Sequence, residues 1–289
     1  MSSRILTAAL IAFSLVVLAA GLIIGAPSPQ RGGPQAPQAA APVDLTGYWV
    51  SVVSEDWRHR MATPRRGDYE SIPISGAGRE VADAWDLDRD NAAGLECKAF
   101  GVGGIIRQPG RIHIEWDDED TLRMDFDAGT QTRRMHFGPS DPTSDEGTWQ
   151  GHSVAEWQRP PLGRGGNQRA QIGNSTGPAA PGGGGRGQRG GPPQSNLTPG
   201  GGSLKVVTTG FREGYLRKNG VPYSEDTTIT EYFHRLPTAP NGDEWLLVIT
   251  TIEDPRYLTQ PYYTSTQFKL EPDGENFSPT PCRTPPPAP

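Results

Sequence analysis

The chain has 289 residues, a formal charge of −6, 37 glycines, 29 prolines and two cysteines. The acidic balance excludes the basic footprint that nucleic-acid binding requires. Glycine and proline crowd two stretches, 27–43 and 159–202, which cannot build a core; roughly 200 packable residues remain, enough for one large all-β domain.

The chain opens with an apolar run from Ile5 to Ala26, broken only by Thr7 and Ser14 and preceded by Arg4. Residues 1–26 therefore read as a cleaved signal peptide or an N-terminal membrane anchor. The run is longer than the usual signal core and Ala26 is followed by Pro27, so both remain open. Either one exports the rest, to the periplasm or beyond, with anchoring at the inner membrane through residues 5–26 if they are kept. Residues 27–43 are a Pro/Gln/Ala linker.

A single β domain is expected over 44–284. It starts at DLTGYWVSVV. One or two short helices follow near residues 77–100, where Val81, Ala82 and Trp85 fall on one helical face. GIIRQPGRIHIEW then reads as two strands around Pro109-Gly110. In the next strands Ile112, Ile114 and Trp116 share one face, and Leu122, Met124 and Phe126 another. Met135 and Phe137 oppose Arg134 and His136. Such alternation describes an antiparallel sheet over a core. TWQGHSVAEW continues it, and SLKVVTTGF, TTITEYFHRL, EWLLVITTIED and YYTSTQFKLE complete about ten strands. A meander of that length closes to remove its edges, giving a lipocalin-like barrel or strongly curved sheet.

Residues 159–202 interrupt this sheet as a disordered Gly/Arg/Pro insert. They hold five arginines and no acid, so the other residues carry −11 of the −6 total. Trp149–Trp157 and Ser203–Phe211 are expected to pair as a hairpin across the insert. Loop closure permits this, because its cost rises only with the logarithm of length. In an exported chain Cys97 and Cys282 read as one disulfide.

The motifs WQGHSVAEW, LKVVTTGF, TEYF and IEDPRYLTQP resemble a family of exported bacterial proteins with the patterns W-x-G-H-S-V-x-x-W, V-x-T-x-G-F, T-E-x-F and I-x-D-P. The resemblance covers most of residues 95–270. It departs at Tyr223 and at Leu258-Thr259, and a short turn in the family stands where this chain has its insert. The family has no established activity, so the resemblance implies organisation and export, not chemistry. DLTGYW is, more weakly, similar to the first strand of lipocalin-like barrels.

The histidines are His59, His113, His136, His152 and His234; no pair has metal-ligand spacing, and no metal or cofactor is implied. There is no phosphate loop, CxxC or dinucleotide fingerprint. His113, His136 and His152 lie on polar strand faces and read as a mixed-charge outer surface more readily than as a cluster. Ser153 lacks a nucleophile elbow and points away from His152. Glu231 alternates with Ile229 and Phe233, so it is expected to be buried. It would then be ion-paired, with Arg107 or Arg217 as candidates, or have a raised pKa. Asp254 before Pro255 reads as a turn former that accepts backbone N–H bonds. Arg58, Arg60, Arg65 and Arg66 with Trp57 and Tyr69 read as a solvated loop, an anion site or a cover for the barrel.

The expected function is binding of a small, partly apolar or aromatic ligand in the barrel mouth. Trp49, Trp149 and Trp157 are the candidate walls, and Arg107, His152 and Glu231 the orienting groups. The alternatives are a lipocalin-like isomerase, hydratase or hydrolase, which needs Glu231 and a histidine in one cavity, and a structural or assembly partner at the membrane. No catalytic residue is assigned.

Overall fold

The computed structural model describes residues 35–142, 145, 147–159 and 201–287. Residues 1–34, with the signal or anchor run, and 160–200, nearly all of the insert, lie outside them. In chain order the strands are β1 (Gly47–Val52), β2 (Arg111–Trp116), β3 (Thr121–Phe126), β4 (Ala128–Gly129), β5 (Gln131–Phe137), β6 (His152–Gln158), β7 (Ser203–Thr209), β8 (Gly214–Arg217), β9 (Val221–Tyr223), β10 (Thr228–Arg235), β11 (Trp245–Glu253), β12 (Tyr262–Glu271) and β13 (Thr280–Pro281). Between β1 and β2 come the helices α1 (Trp57–Met61), α2 (Gly76–Asp83) and α3 (Leu87–Ala92), a 3-10 turn (Glu96–Phe100) and α4 (Val102–Ile105).

Nine strands close into a barrel in the order β1-β12-β11-β10-β7-β6-β5-β3-β2. Trp49 of β1 closes the circle, pairing with Leu270 of β12 on one side and Ile112 of β2 on the other. The alternation read from the sequence sets the two faces. Ile112, Ile114, Leu122, Met124 and Met135 are buried inside, while Arg123 and Arg134 point out into acidic surroundings.

One pairing departs from the expected antiparallel meander: β5 and β6 run parallel. Parallel neighbours need a crossover of a dozen or more residues, and residues 138–151 supply it. The crossover ends at Gly151, at φ +62°; a Cβ there would lie 2.6 Å from the Thr209 carbonyl oxygen. Both facts require glycine. Across the insert, β6 and β7 pair antiparallel from His152–Thr209 to Gln158–Ser203, so the expected hairpin forms.

The barrel ends differ. At one end Val52 and Arg111 are joined by α1–α4, and Thr209 and Thr228 by the β8–β9 hairpin. These segments bury a second apolar cluster that includes Tyr69, Ala82, Val102, Tyr223, Ile229 and Ile252, which seals this end. Ser75 caps α2 by accepting from the Gly78 N–H at 3.1 Å, and Asp86 caps α3 by accepting from Arg89 N–H at 3.0 Å. GIIRQ, expected as a strand, is α4 and a turn, and the Arg58/Arg60 loop contains α1. Local β-propensity loses here to packing against β8, where Gly104 lies so close that a Cβ would fall 2.6 Å from the Tyr215 carbonyl oxygen.

Asp254 holds the β11–β12 corner on this side. It accepts from the N–H of Ser224 (2.7 Å), Arg256 (2.8 Å) and Tyr257 (2.9 Å) and from the Thr227 hydroxyl (2.7 Å). Burial alone would raise its pKa. The donors outweigh burial and hold the carboxylate below its ordinary value.

Cys97 and Cys282 are disulfide-bonded, and β13 lies parallel to β4 beside them. The bond ties the C-terminal segment to the 3-10 turn Glu96–Phe100. No helix among the described residues is long and apolar enough to cross a membrane.

Candidate functional site

The lumen between the two ends is filled by side chains. Trp49, Met124, Met135, Phe233 and Phe268 are almost fully buried in it, so it is not the deep apolar calyx of a lipocalin-like carrier. At mid-height Glu231 is ion-paired with Arg133, Oε2 to Nη2 at 2.5 Å, with neither side chain exposed. Arg133 also donates through Nε to Ser153 Oγ (2.9 Å) and through Nη2 to Thr208 Oγ1 (2.7 Å). Although the charges touch, neither Glu231 oxygen has hydrogen-bond geometry to a partner, and Arg133 Nη1 has none either. The pair is held by Coulomb attraction, which depends on separation and not on hydrogen-bond alignment.

Glu231 is thus buried and paired, as one reading of the sequence had it, but with Arg133 instead of Arg107 or Arg217. Arg133 was missed although alternation places it on the face of Met135 and Phe137, opposite Arg134. His113 and His152 stand on the outer face of the wall. His113 stacks on Tyr48 with ring centroids 4.0 Å apart, and His152 lies under the crossover. The carboxylate–histidine pair required by the enzyme reading is therefore not formed by these residues.

The sealed end carries buried cations. Arg60, Arg107, Arg217 and Lys218, with His59 and Tyr262, line a cavity of about 20 Å³. Arg107 bonds Asp56 Oδ2 at 2.6 Å and the Ser265 carbonyl at 3.3 Å. Arg217 donates to the carbonyls of Asp68 and Glu70, and Lys218 to that of Arg60 at 2.8 Å. Burial, then the charge of Arg60, pushes the Lys218 pKa down to about 8, from an ordinary 10.5.

Below pH 8 Lys218 is charged in both states and its burial costs the folded one. Between pH 8 and 10.5 the unfolded chain binds the extra proton, so folding gains as pH rises. Relative to Lys218→Met, the native chain should gain up to about 3 kcal/mol across that interval, measured by urea unfolding at each pH. Parallel pH curves for the two proteins would contradict the assignment.

The other end is a mouth. Trp116, Phe137, Gln158 and Ser203 sit at its rim, and residues 36–45 cross it, of which 36–43 were expected as linker. Composition hid this role: the segment has no periodicity, and the hydrogen bonds that hold it run through its backbone. Gln38 N–H donates to the Glu119 carbonyl (3.1 Å), Trp157 Nε1 to that of Pro37 (2.9 Å), and Trp49 Nε1 to that of Leu45 (3.0 Å).

Between this strap and the rim lies a cavity of about 320 Å³, lined by Trp116, Trp157, Leu122, Val43 and Leu45, with Gln38, Ala41, Pro42 and Asp44. Trp116 stacks on Phe137 at 5.5 Å, and Trp157 lies 5.4 Å from Phe137, so the aromatic wall is held in place from behind. That volume is at the small end of the range for ligand pockets.

The six residues singled out from the sequence therefore do not converge. Trp157 walls the mouth and Trp49 lies just beneath it, bonded to Leu45. Trp149 is toward the sealed end, under the Arg212 guanidinium at 4.3 Å. Arg107 is in the sealed end, Glu231 at mid-lumen and His152 outside. Trp116 and Leu122 were missed as site residues although their inward parity was readable. No family model, no curated protein and no solved structure matches the chain.

Proposed function

We propose that the protein binds a small, partly apolar and planar molecule in the barrel mouth, between Trp116 and Trp157 on one side and the 36–45 strap on the other. The observation that carries this reading is the 320 Å³ cavity with two indoles in its wall. Apolar walls supply the affinity, and Asp44 and Gln38 at the edge supply a few polar contacts that orient the ligand. The buried ion pair and filled lumen limit the ligand to the mouth. Export belongs to the same proposal: the Ile5–Ala26 run directs it, and the Cys97–Cys282 bond suits an oxidising compartment.

Tryptophan fluorescence, titrated with indoles, phenols and medium-chain fatty acids, tests it. At least one class should give a saturable change. Ala41→Phe, which fills the cavity from the strap without altering the barrel wall, should weaken that binding by about tenfold or more, the scale of a well-placed hydrophobic contact. Equal binding by the filled variant, or no saturable change with any class, would reject the mouth as the site.

A further inference from the structure

The parallel pairing of β5 and β6 has a chemical result on the outside of the barrel. In that register His136 opposes Val154, so His136 and His152 face outward as neighbours. Their rings lie 5.3 Å apart and within 15° of parallel. The crossover then folds back and places Asp145 against both: Asp145 Oδ2 is 2.8 Å from His136 Nε2 and 3.4 Å from His152 Nδ1. The three ligand atoms lie within 4.8 Å of one another. The backbone of Asp145 is fixed by Thr148, whose hydroxyl donates to the Asp145 carbonyl at 2.7 Å and accepts from Gly151 N–H at 3.0 Å.

We propose that His136, Asp145 and His152 form a binding site for a divalent transition-metal ion, zinc by preference. Two imidazole nitrogens and one carboxylate oxygen are a zinc donor set. At metal–ligand distances of about 2.0–2.2 Å, tetrahedral ligands stand roughly 3.3–3.6 Å apart, so an ion requires only a small outward shift of the His136 ring from Asp145. The remaining ring nitrogen of His152, Nε2, is 3.0 Å from Ser140 Oγ. That contact fixes the ring orientation and leaves Nδ1 free to ligate, as outer partners of ligating histidines do. His136 and Asp145 keep 17% and 19% of their side-chain surface in solvent, which gives the ion an entry path and a position for water.

Two other groups have comparable donors but hold cations of the protein's own. Asp125 and Glu115 beside His113 are ion-paired with Arg123, and Asp68 and Glu70 beside His59 with Arg58. Among the described residues, the ion pairs of Asp145 are with the two histidines. The competing account is that both rings simply donate N–H to Asp145.

Calorimetry with zinc and visible absorption with cobalt, on untagged full-length chain stripped with a chelator, separates the two. The proposal expects one equivalent of zinc and the d–d bands of tetrahedral cobalt. His136→Gln and Asp145→Asn should each weaken zinc binding at least about tenfold, and Ser140→Ala by about 10–100-fold, the cost of losing an outer partner. His113→Gln should leave it unchanged. Asp145 is on a loop, so its variant keeps the test open if His136→Gln misfolds. No zinc uptake by the folded chain, uptake unchanged in Asp145→Asn, or uptake lost in His113→Gln would overturn the site.

Discussion

In Glu231→Leu, unfolding free energy should fall by about 3–5 kcal/mol, whereas Arg133→Met/Glu231→Leu should return to within about 1 kcal/mol of the native chain or exceed it. The single change leaves Arg133 charged, with no exposed surface and only the Ser153 and Thr208 hydroxyls as partners. The double change removes the charge together with its cost and puts apolar side chains of similar length in its place, with Val206 paired beside position 231. Urea unfolding of the four proteins of this cycle measures the coupling directly. Equal destabilisation of single and double variants would show that Arg133 and Glu231 do not act as a pair.

Removing the disulfide should have an effect of similar size. Cys97 and Cys282 are 185 residues apart, and in the chain-entropy model opening a loop of that length frees the unfolded chain by about 5 kcal/mol. Cys97→Ser/Cys282→Ser should then melt roughly 10–20 °C lower. The tail is also held by weaker contacts, such as Thr280 N–H to the Asp127 carbonyl at 2.8 Å and the Thr63 hydroxyl to that of Pro285 at 2.6 Å. These add too little to offset the entropy. A melting temperature unchanged in the serine variant would mean that the bond fastens only the tail.

The wall of the barrel was legible because period-two alternation is a local property. Ile112–Trp116, Leu122–Phe126 and Ile229–Phe233 each declared their inward faces, and the burial of Glu231 followed from its place between Ile229 and Phe233. Direction and register are not local. Gly138–Gly151 is rich in Gly, Pro and Asp, as a turn or a crossover would be, so nothing in its composition announced a parallel β5–β6 pair. With that pairing unseen, His136 and His152 could not be placed side by side.

The mouth was half legible. Trp157 and Trp116 had inward parity, but a residue at a strand's end either continues a core or rims a cavity. Which of these it does is decided by the Pro37–Leu45 strap, whose hydrogen bonds run through its backbone and so leave no pattern in the sequence. The sealed end was hidden for a related reason. Arg60 and Lys218 look like surface residues, and only the packing of α1 and the β8–β9 hairpin over the barrel buries them.

Amide shift mapping by NMR on isotope-labelled chain, titrated with whichever class of molecule changes the tryptophan emission, tests the binding reading most directly. The account predicts that the largest shifts, and those of the indole N–H groups, fall on residues 36–45, Trp116, Leu122 and Trp157, with Arg107 and the α1–α4 end unmoved. Shifts centred on the sealed end or scattered over the outer wall, with Trp116 and Trp157 unchanged, would contradict it.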